Sequence, residues 1–343
     1  MKIIRLKILF ILFAFCFFNV LYGGEYAADF LNIGVGARAL GMGGAACASI
    51  DDGSSFYWNP AGLGFLKTPV LSGMYGPQFG SLKNPLGNYH FIGYSQPLPG
   101  KAVISINWIR LSVDEIPIYS GLEGESFWDR LHDLSIRPSG EPEGFITDTE
   151  DALFFTFAKY NRFKVDLGWQ YHKVGIELPV GLNIKWIRQK LGDYEASGIG
   201  IDAGAMVRFR LDELVEKEKI GTVTFGLFFQ DFTGTRLTWD TEHQDNLPMN
   251  IKWGIAYMAP LIFMKSELNI SYNRESRWGG KNRWGLEFIG LNIISLRAGL
   301  DDGNFTCGAG LKIWRMDFDY AFLTHNLESL HRISCAISLK SRE

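Results

Sequence analysis

Cysteine is scarce in this chain of 343 residues, and its placement excludes several classes of protein. Cys16 falls in an N-terminal apolar stretch, so that Cys47, Cys307 and Cys335 remain for the rest of the chain. Three cysteines cannot form a disulfide framework, and no C-x-x-C spacing is present for a metal ion. The six histidines are scattered without an H-E-x-x-H motif. The sequence therefore predicts no metal site and no cofactor.

The chain also lacks a large net charge of either sign and a run of basic residues. Its formal net charge is -3, which gives no reason to expect nucleic acid as a partner. Residues 1–24 combine an n-region that contains Lys2, Arg5 and Lys7 with an apolar stretch and two small residues, Gly23 and Gly24. This pattern is typical of a cleaved signal peptide and is short for a membrane-spanning helix. No later stretch is apolar enough for such a helix.

Instead, residues 101–339 repeat an alternation of period two. In residues 250–257, bulky apolar side chains alternate with Asn, Lys, Gly and Ala, and residues 267–273 follow the same rule. Side chains on a strand alternate between two faces, so each such stretch has one apolar face and one polar face. Behind an export signal, this alternation is typical of a transmembrane β-barrel, which turns its apolar face toward lipid.

The strands can be placed approximately from this alternation. They are predicted at 68–76, 87–97, 101–111, 151–160, 164–173, 180–190, 198–209, 220–231, 249–258, 263–273, 282–290, 293–300, 304–314, 316–324 and 330–339. A bacterial single-chain barrel has an even number of strands. The parity of the longer loops places the excess in residues 151–190, which should supply two strands rather than three. We therefore expect an all-β, antiparallel transmembrane barrel of about 14 strands over residues 67–343, with its longest loop at 112–150.

A secreted β-sandwich has the same alternation, with its apolar face turned inward. Three features favour the barrel. Nearly every strand has a large aromatic residue on its apolar face, among them Trp186, Trp253 and Trp284. The strands follow one another as hairpins, which closes a barrel without a free edge. Short and longer connections also alternate from residue 220 onward.

Residues 25–66 differ from the rest of the chain, since they are rich in Gly and Ala and lack strict alternation. We expect a compact N-terminal hatch or plug. Its glycines would allow tight bends and close packing against the wall. Pro60 removes a backbone donor and disfavours helix at Asn59, whose side chain can bond to its own turn. This turn is either a gate or an anchor, and Arg38 either pairs with a carboxylate of the lumen or binds a substrate carboxylate.

This segment also carries a resemblance to a known family. FLNIGVGARALGMGGA at 30–45, DDG at 51–53 and YWNPAGL at 57–63 resemble the PorV/PorQ-type outer-membrane proteins, which belong to the FadL-like barrels. In the C-terminal half, LRAGLDDG at 296–303, DFDYAF at 317–322 and HRIS at 331–334 look like the last strands of that family. One departure is that the last predicted strand ends at Leu339 rather than at an aromatic residue.

The resemblance implies a fourteen-stranded barrel with an N-terminal hatch. In FadL-like transporters the hatch obstructs the lumen and must shift for a hydrophobic substrate to pass, whereas PorV-like proteins serve protein secretion in the type IX system. The Asn59-Pro60-Ala61 positions match the hatch motif. The hatch or gate candidates are Gly34, Gly36, Arg38, Gly41, Gly43, Gly44, Asn59, Pro60, Ala61 and Gly62.

These observations predict a non-catalytic barrel of the cell outer membrane that handles or transports cargo. Its expected partners are outer-membrane lipid and either a hydrophobic small molecule or a secreted protein. Secretion-system components are candidate partners, and no nucleic acid is expected. Two alternatives remain open. One is an outer-membrane enzyme such as a lipase or protease, and the other is a secreted soluble β-sheet binding protein.

Overall fold

The computed structural model describes residues 27–81, 84–119, 127–132, 141–166, 168, 173–215, 220–261, 265–325 and 328–339. The predicted signal peptide, residues 1–24, and the first two residues of the predicted hatch lie outside the described residues.

Within these ranges the chain forms one antiparallel sheet of eighteen strands. The strands are β1 Val70–Ser81, β2 Asn84–Leu98, β3 Ala102–Ile118, β4 Gly144–Lys159, β5 Arg162–Asp166, β6 Lys173–Glu177, β7 Val180–Leu191, β8 Tyr194–Arg210, β9 Thr222–Gln230, β10 Thr235–Trp239, β11 Gln244–Leu247, β12 Asn250–Leu261, β13 Ser266–Glu275, β14 Lys281–Gly290, β15 Ile294–Asp301, β16 Asn304–Ile313, β17 Met316–Leu323 and β18 Leu330–Ser338.

Fourteen of these strands form a closed wall. The first and last strands pair with each other, with Val70 opposite Ser338 and Tyr75 opposite Ile333. Closure leaves no free edge, so every wall strand has a neighbour on both sides. The remaining four strands make two short hairpins, β5–β6 and β10–β11. The predicted all-β barrel of fourteen antiparallel strands is confirmed.

The direction of the side chains decides between a barrel and a soluble sandwich. The tryptophans of the apolar faces point outward and are exposed, with fractional exposures of 43% for Trp186, 45% for Trp253 and 53% for Trp284. Charged side chains of the same strands point inward, and Lys185 and Glu287 are fully buried. An apolar exterior around a polar interior is the arrangement that a lipid bilayer stabilises, so the fold is a transmembrane β-barrel.

No helix within the described residues is long and apolar enough to cross a bilayer.

The strand predicted at 164–173 is wrong in its placement, although residues 151–190 supply two wall strands as expected. Those two strands are β4 and β7, which pair directly with each other. The residues between them form the hairpin β5–β6, which lies outside the succession of wall strands. Gly168, with a positive φ of 76°, lies between the two arms and interrupts the single strand that alternation alone predicted.

Two predicted loops are shorter than expected because strands continue into them. β3 runs to Ile118 and β4 begins at Gly144, so the loop predicted at 112–150 is confined to 119–143, most of which lies outside the described residues. The connection between the strands predicted at 220–231 and 249–258 contains the hairpin β10–β11. The extended part of β3 has an irregularity between Val113 and Ile116, which interrupts the alternation from which the strands were predicted.

A break in the wall at residues 231–234 separates β9 from β10, although both pair with β8. Asp231 has a positive φ of 55° there and is fully buried. Its carboxylate lies 2.7 Å from Lys185 Nζ and 2.6 Å from an Arg277 terminal nitrogen, while Lys185 Nζ also lies 2.8 Å from Asp202. This buried cluster links β7, β8, the break and the chain after β13.

The short helices are α1 Ala37–Gly41, α2 Ser55–Trp58, α3 Phe127–His132 and α4 Leu211–Val215, with 3₁₀ turns at Asp29–Asn32, Pro60–Phe65 and Arg277–Gly279. We call residues 27–66, which contain α1 and α2, the lumen segment. We call the end of the barrel at which β1 begins and β18 finishes the terminal end, and the opposite end, with residues 119–143, the loop end.

The buried cluster at the break leads to a prediction for Asp231→Asn. Asparagine tolerates the left-handed conformation, so the change removes the charge and leaves the backbone preference intact. Lys185 would then keep only the Asp202 carboxylate, and Arg277 would lose the carboxylate that it binds. We expect a loss of about 3–5 kcal/mol in the free energy of unfolding, the usual cost of breaking a buried ion pair. The measurement is urea unfolding of the protein in lipid vesicles. Asp302→Asn, in an exposed turn with a φ of 49°, is the matched control, and equal stabilities of the two variants would contradict the prediction.

Candidate functional site: the barrel lumen

The lumen segment lies inside the wall and is almost entirely buried. Helix α1 packs against β15, β16, β17 and β18, and the turn Pro60–Phe65 packs against β3, β4, β7 and β8 on the other side. Side chains inside the segment also tie it together. The Trp58 indole donates to the Val35 carbonyl at 2.7 Å, and the Tyr57 hydroxyl donates to the Leu31 carbonyl. The segment is therefore a compact body that spans the interior of the barrel.

Wall glycines make this close approach possible. Seven of the wall strands have a glycine on their inner face where the lumen segment passes, namely Gly181, Gly204, Gly226, Gly254, Gly285, Gly299 and Gly308. A Cβ added at Gly299 would lie 2.3 Å from the Gly43 nitrogen, and one added at Gly226 would lie 2.2 Å from the Cys47 oxygen. Real Cβ atoms do not approach backbone so closely, so only glycine allows the two backbones to meet here.

We call these seven residues the glycine ring. None of these seven glycines was among the predicted site residues, because only the glycines of residues 25–66 were considered as candidates. The signal was nevertheless present, since glycine recurs on the polar face of successive strands, where a strand facing water has no need of it.

Asn59 occupies a slot that the glycine ring provides. Its backbone is extended, with φ -167° and ψ 108°, and its side chain accepts a hydrogen bond from Ala61 N at 3.2 Å, both as expected next to Pro60. Its amide nitrogen donates to the Cys47 carbonyl at 2.9 Å and lies 3.3 Å from the carbonyl oxygen of Ala205 on β8. A side chain at Gly204 would collide with this amide. Asn59 thus joins two parts of the lumen segment to the wall.

Arg38 connects the lumen segment to the opposite side of the wall. It donates to both carboxylate oxygens of Glu287 on β14, at 3.0 and 2.9 Å, and also lies 3.1 Å from Asp51 and 3.3 Å from Asp52. Burial alone would lower the pKa of Arg38, but these carboxylates outweigh it and hold the pKa well above its usual value. Glu287 is also bound by Arg297 at 2.8 Å, so the predicted pairing of Arg38 belongs to a network.

The other candidate residues are buried as well. Gly34, Gly36, Gly43 and Gly44 have positive φ. Gly41 lies against Gly308, since a Cβ built at Gly41 would be 3.1 Å from the Gly308 Cα. Gly43 illustrates why glycine is required, because a Cβ there would lie 2.7 Å from the Leu300 backbone. Pro60 begins its 3₁₀ turn, and Ala61 and Gly62 follow within it. All ten candidates therefore lie in the lumen segment, and seven of the wall residues that contact it were not among them.

The interior is apolar on one side only. Phe56 of α2 packs against Phe91 of β2 and Phe154 of β4, with ring centroids 5.4 and 5.0 Å apart, and Tyr89 and Ile109 are buried nearby. Across the lumen, on β14 and β15, lie the charged side chains that form the network with Arg38, namely Glu287 and Arg297. The apolar side therefore holds the segment by packing, and the charged side holds it by ion pairs.

Two cavities flank the lumen segment. The terminal-end cavity, of about 230 Å³, is lined by residues that include Ala48, Arg208, Ala256 and Asn269. The loop-end cavity, of about 220 Å³, has the rings of Tyr57 and Trp58 on the segment side and Lys252, Glu275 and Arg283 among its wall residues.

The inner face of β12 touches both cavities in turn. Lys252 lines the loop-end cavity, Ala256 and Met258 line the terminal-end cavity, and Gly254 lies between them. A Cβ built at Gly254 would lie 3.4 Å from the Cys47 Cβ. At this position Cys47 contacts the wall between the β12 residues that line the two cavities.

Within the described residues, no group of three or more His, Cys, Asp or Glu side chains is arranged to hold a metal ion. The two Asp-Asp-Gly stretches, at 51–53 and 301–303, are engaged in ion pairs with Arg38 and Arg283.

Comparison with known proteins supports the fold. No protein-family model and no curated protein sequence matches the chain. Among solved structures, the chain is similar to "CymD monoaromatic hydrocarbon channel", with a TM-score of 0.51 and 12% identity over 91% of this chain and 99% of that one. It is also similar to a TodX monoaromatic hydrocarbon channel that carries the deltaS2S3 mutation, with a TM-score of 0.50 and 10% identity over 89% and 98%. The toluene transporter TodX of Pseudomonas putida matches with a TM-score of 0.48 and 11% identity over 89% and 97%. The chain thus has the fold of FadL-like barrels.

The glycine ring predicts that Gly299→Ala displaces the lumen segment. The added methyl group would meet the backbone of Met42 and Gly43, and overpacking of this kind costs about 1–3 kcal/mol. We expect a lower urea midpoint than for Gly73→Ala, since the nearest atom to a built Cβ at Gly73 is 3.5 Å away. Equal midpoints for the two variants would show that the segment does not depend on this contact.

Cys47 offers a test of how tightly the segment is packed. The thiol is fully buried, and burial raises its pKa to about 12. At pH 8 only about one thiol in 10⁴ is then ionised, so a water-soluble maleimide should label it very slowly. In a variant with Cys16, Cys307 and Cys335 replaced by Ala, the labelling rate should still be rising at pH 10 in the folded protein. In urea it should level off near the ordinary cysteine pKa of about 8.5. A plateau near that value in the folded protein would mean that Cys47 is open to solvent.

Proposed function

We propose that this chain is a channel protein of the outer membrane in which the lumen segment acts as a hatch. The observation that carries the proposal is a closed wall with an apolar exterior whose interior is spanned by the chain's own segment, with a cavity on each side. A segment that filled the barrel only for stability would leave no reason for two cavities that meet at one contact. Passage of a solute through the barrel therefore requires the segment to move at that contact.

The anchors of the segment indicate which part moves. Arg38 and Glu287 fix the part around α1, and the packing of Phe56 fixes the part around α2. Between them, five of the six side chains of residues 45–50 are small, and Asn59 donates to the Cys47 carbonyl. We assign Asn59 the role of the latch, because its amide joins this stretch to the wall strand β8.

The fold supports this reading by analogy. Two structures with the same fold are described as monoaromatic hydrocarbon channels. Their substrates are not carried over to this chain, because a shared fold does not imply a shared substrate. A role in protein secretion, which the PorV/PorQ resemblance implies, stays a prediction. That secretion role depends on residues 112–150. Most of the loop within them, 119–143, lies outside the described residues.

A reversible lock tests the hatch. The Cβ built at Gly254 lies 3.4 Å from the Cys47 Cβ, close to the separation of about 3.5–4.5 Å that a disulfide requires. In a background without the other cysteines, Gly254→Cys should form a disulfide with Cys47 on oxidation and tie the segment to β12. We expect oxidation to abolish passage of a small solute into proteoliposomes and dithiothreitol to restore it. The readouts are swelling in isosmotic arabinose and swelling in isosmotic glucose.

Gly254→Ser is the matched control, because it adds a similar volume at the same position without a thiol. Its passage rates should not respond to oxidation. Loss of free thiol in the oxidised Gly254→Cys protein establishes that the bond has formed. If that protein passes solute as fast as the reduced one, or if neither solute passes through the unmodified chain, the hatch proposal fails.

A further inference from the structure

The terminal-end cavity is completed by parts of the chain that a simple pore does not need. Hairpin β5–β6 lies outside the wall succession, yet it is held against the barrel, with Ile176 opposite Phe209 and Glu177 opposite Arg208. Helix α4 joins it through Glu213, which accepts a hydrogen bond from Gly175 N at 2.7 Å. These two elements cover the side of the cavity that the wall strands leave open, and they supply three of its charged residues, Arg162, Glu177 and Glu213.

Asn269 of β13 lines the same cavity and is 2% exposed. Within the part of the chain that the structure describes, neither its amide nitrogen nor its amide oxygen has a hydrogen-bond partner. Buried polar side chains are nearly always hydrogen-bonded, and leaving both a donor and an acceptor unpaired is costly. An amide in this state fits a ligand that both accepts and donates a hydrogen bond.

Arg208 of β8 provides a cation with spare hydrogen-bonding capacity. Its guanidinium lies over the Phe65 ring, 3.6 Å from the centroid, which holds it in one orientation. Its Nε donates to the Thr224 hydroxyl at 3.2 Å, and its contact with the Asp51 carboxylate is long at 3.7 Å. Asp51 is also bound by Arg38 at 3.1 Å. Arg208 is therefore pre-positioned to bind a further carboxylate.

Charges of the opposite sign complete the lining. Glu177 and Glu213 face the cavity together with Arg208, and Ala48, Ala256 and Met258 add a small apolar area. A pure hydrocarbon would gain nothing from these groups, and a pure anion would be repelled by the two glutamates. Arg162 and Arg210 also line the cavity, which therefore presents both signs of charge, and a small molecule with one acidic and one basic group fits this combination.

We propose that the terminal-end cavity binds a small zwitterion of the amino-acid type. Its carboxylate contacts Arg208, its ammonium group lies between Glu177 and Glu213, and Asn269 bonds to both ends. The volume of about 230 Å³ suits a single amino acid rather than a long chain. The inference deepens the proposed function by naming a class of solute, but binding is measured without passage, so that failure of one is distinguishable from failure of the other.

Three probes with the same branched carbon chain separate the chemistry. L-leucine carries both charges, 4-methylpentanoate carries only the acid, and 3-methylbutylamine carries only the amine. Isothermal titration of the full chain in a non-ionic detergent, against empty micelles, should show leucine binding at least tenfold more tightly than either of the others. Equal affinity for 4-methylpentanoate would overturn the proposal in favour of an anion site, and no binding of any probe would mean that the cavity holds only water.

Asn269→Leu keeps the proposal falsifiable if charge variants fail to fold. The two side chains are similar in size, so the urea midpoint should stay the same or rise as an unpartnered amide is removed, while leucine affinity should fall at least tenfold. Arg208→Gln should weaken leucine binding without weakening that of 3-methylbutylamine. Arg236→Gln, an exposed arginine at the loop end, is the control and should leave affinity unchanged. Unaltered leucine affinity in folded Asn269→Leu would refute the role of the amide.

Discussion

The width of the wall is the constraint on which the rest of this structure depends. A barrel of about eight strands is filled by its own inward side chains, whereas barrels of 16 strands or more leave an aqueous channel. Fourteen strands lie between these cases, so the inner face alone can neither fill the interior nor leave it freely open. The chain resolves this with residues 27–66, which occupy the space that the side chains leave. The ion pairs, the aromatic packing and the two cavities all follow from placing a compact segment inside that wall.

The glycine ring shows how the segment and the wall are matched. An inward side chain on each strand would hold the segment several ångströms from the wall, and the gap would then have to be filled by water or by more side chains. Glycine at Gly204 and Gly226 instead lets the Asn59 amide and the Cys47 carbonyl reach the wall backbone directly. The stretch around Cys47 is therefore placed by direct contact with the wall backbone and by the hydrogen bond from Asn59.

Local pattern was enough to predict the wall, because the bilayer and the hydrated interior act on every strand in the same way. Trp253 and Lys252 are adjacent in sequence and point to opposite media, so alternation alone predicts their directions. The hairpin β5–β6 was misplaced, since it lies outside the wall and obeys no such rule. In the lumen, the role of Asn59 in its own turn followed from its neighbour Pro60. Its contact with Ala205, 146 residues away, depends on tertiary packing that no local pattern contains. The partner of Arg38 was predictable as a carboxylate but not as Glu287, for the same reason.

The outer and inner faces of this wall contact different surroundings, so the likeness in fold concerns the outer face more than the lumen. Any barrel of this size must present a similar apolar band to lipid, so a match in fold to hydrocarbon channels reflects the lipid environment that these barrels share. The lumen instead reflects what passes or binds there. Here it buries Lys185, Glu287 and Arg297, and both cavities are lined by cations and carboxylates together. Burying charges is costly even when they are paired, and apolar residues of similar size often give equal stability. A lumen that keeps paired charges beside its cavities is therefore better suited to a polar solute than to a hydrocarbon, and the pairs that hold the segment in place also tune the field in which that solute would bind.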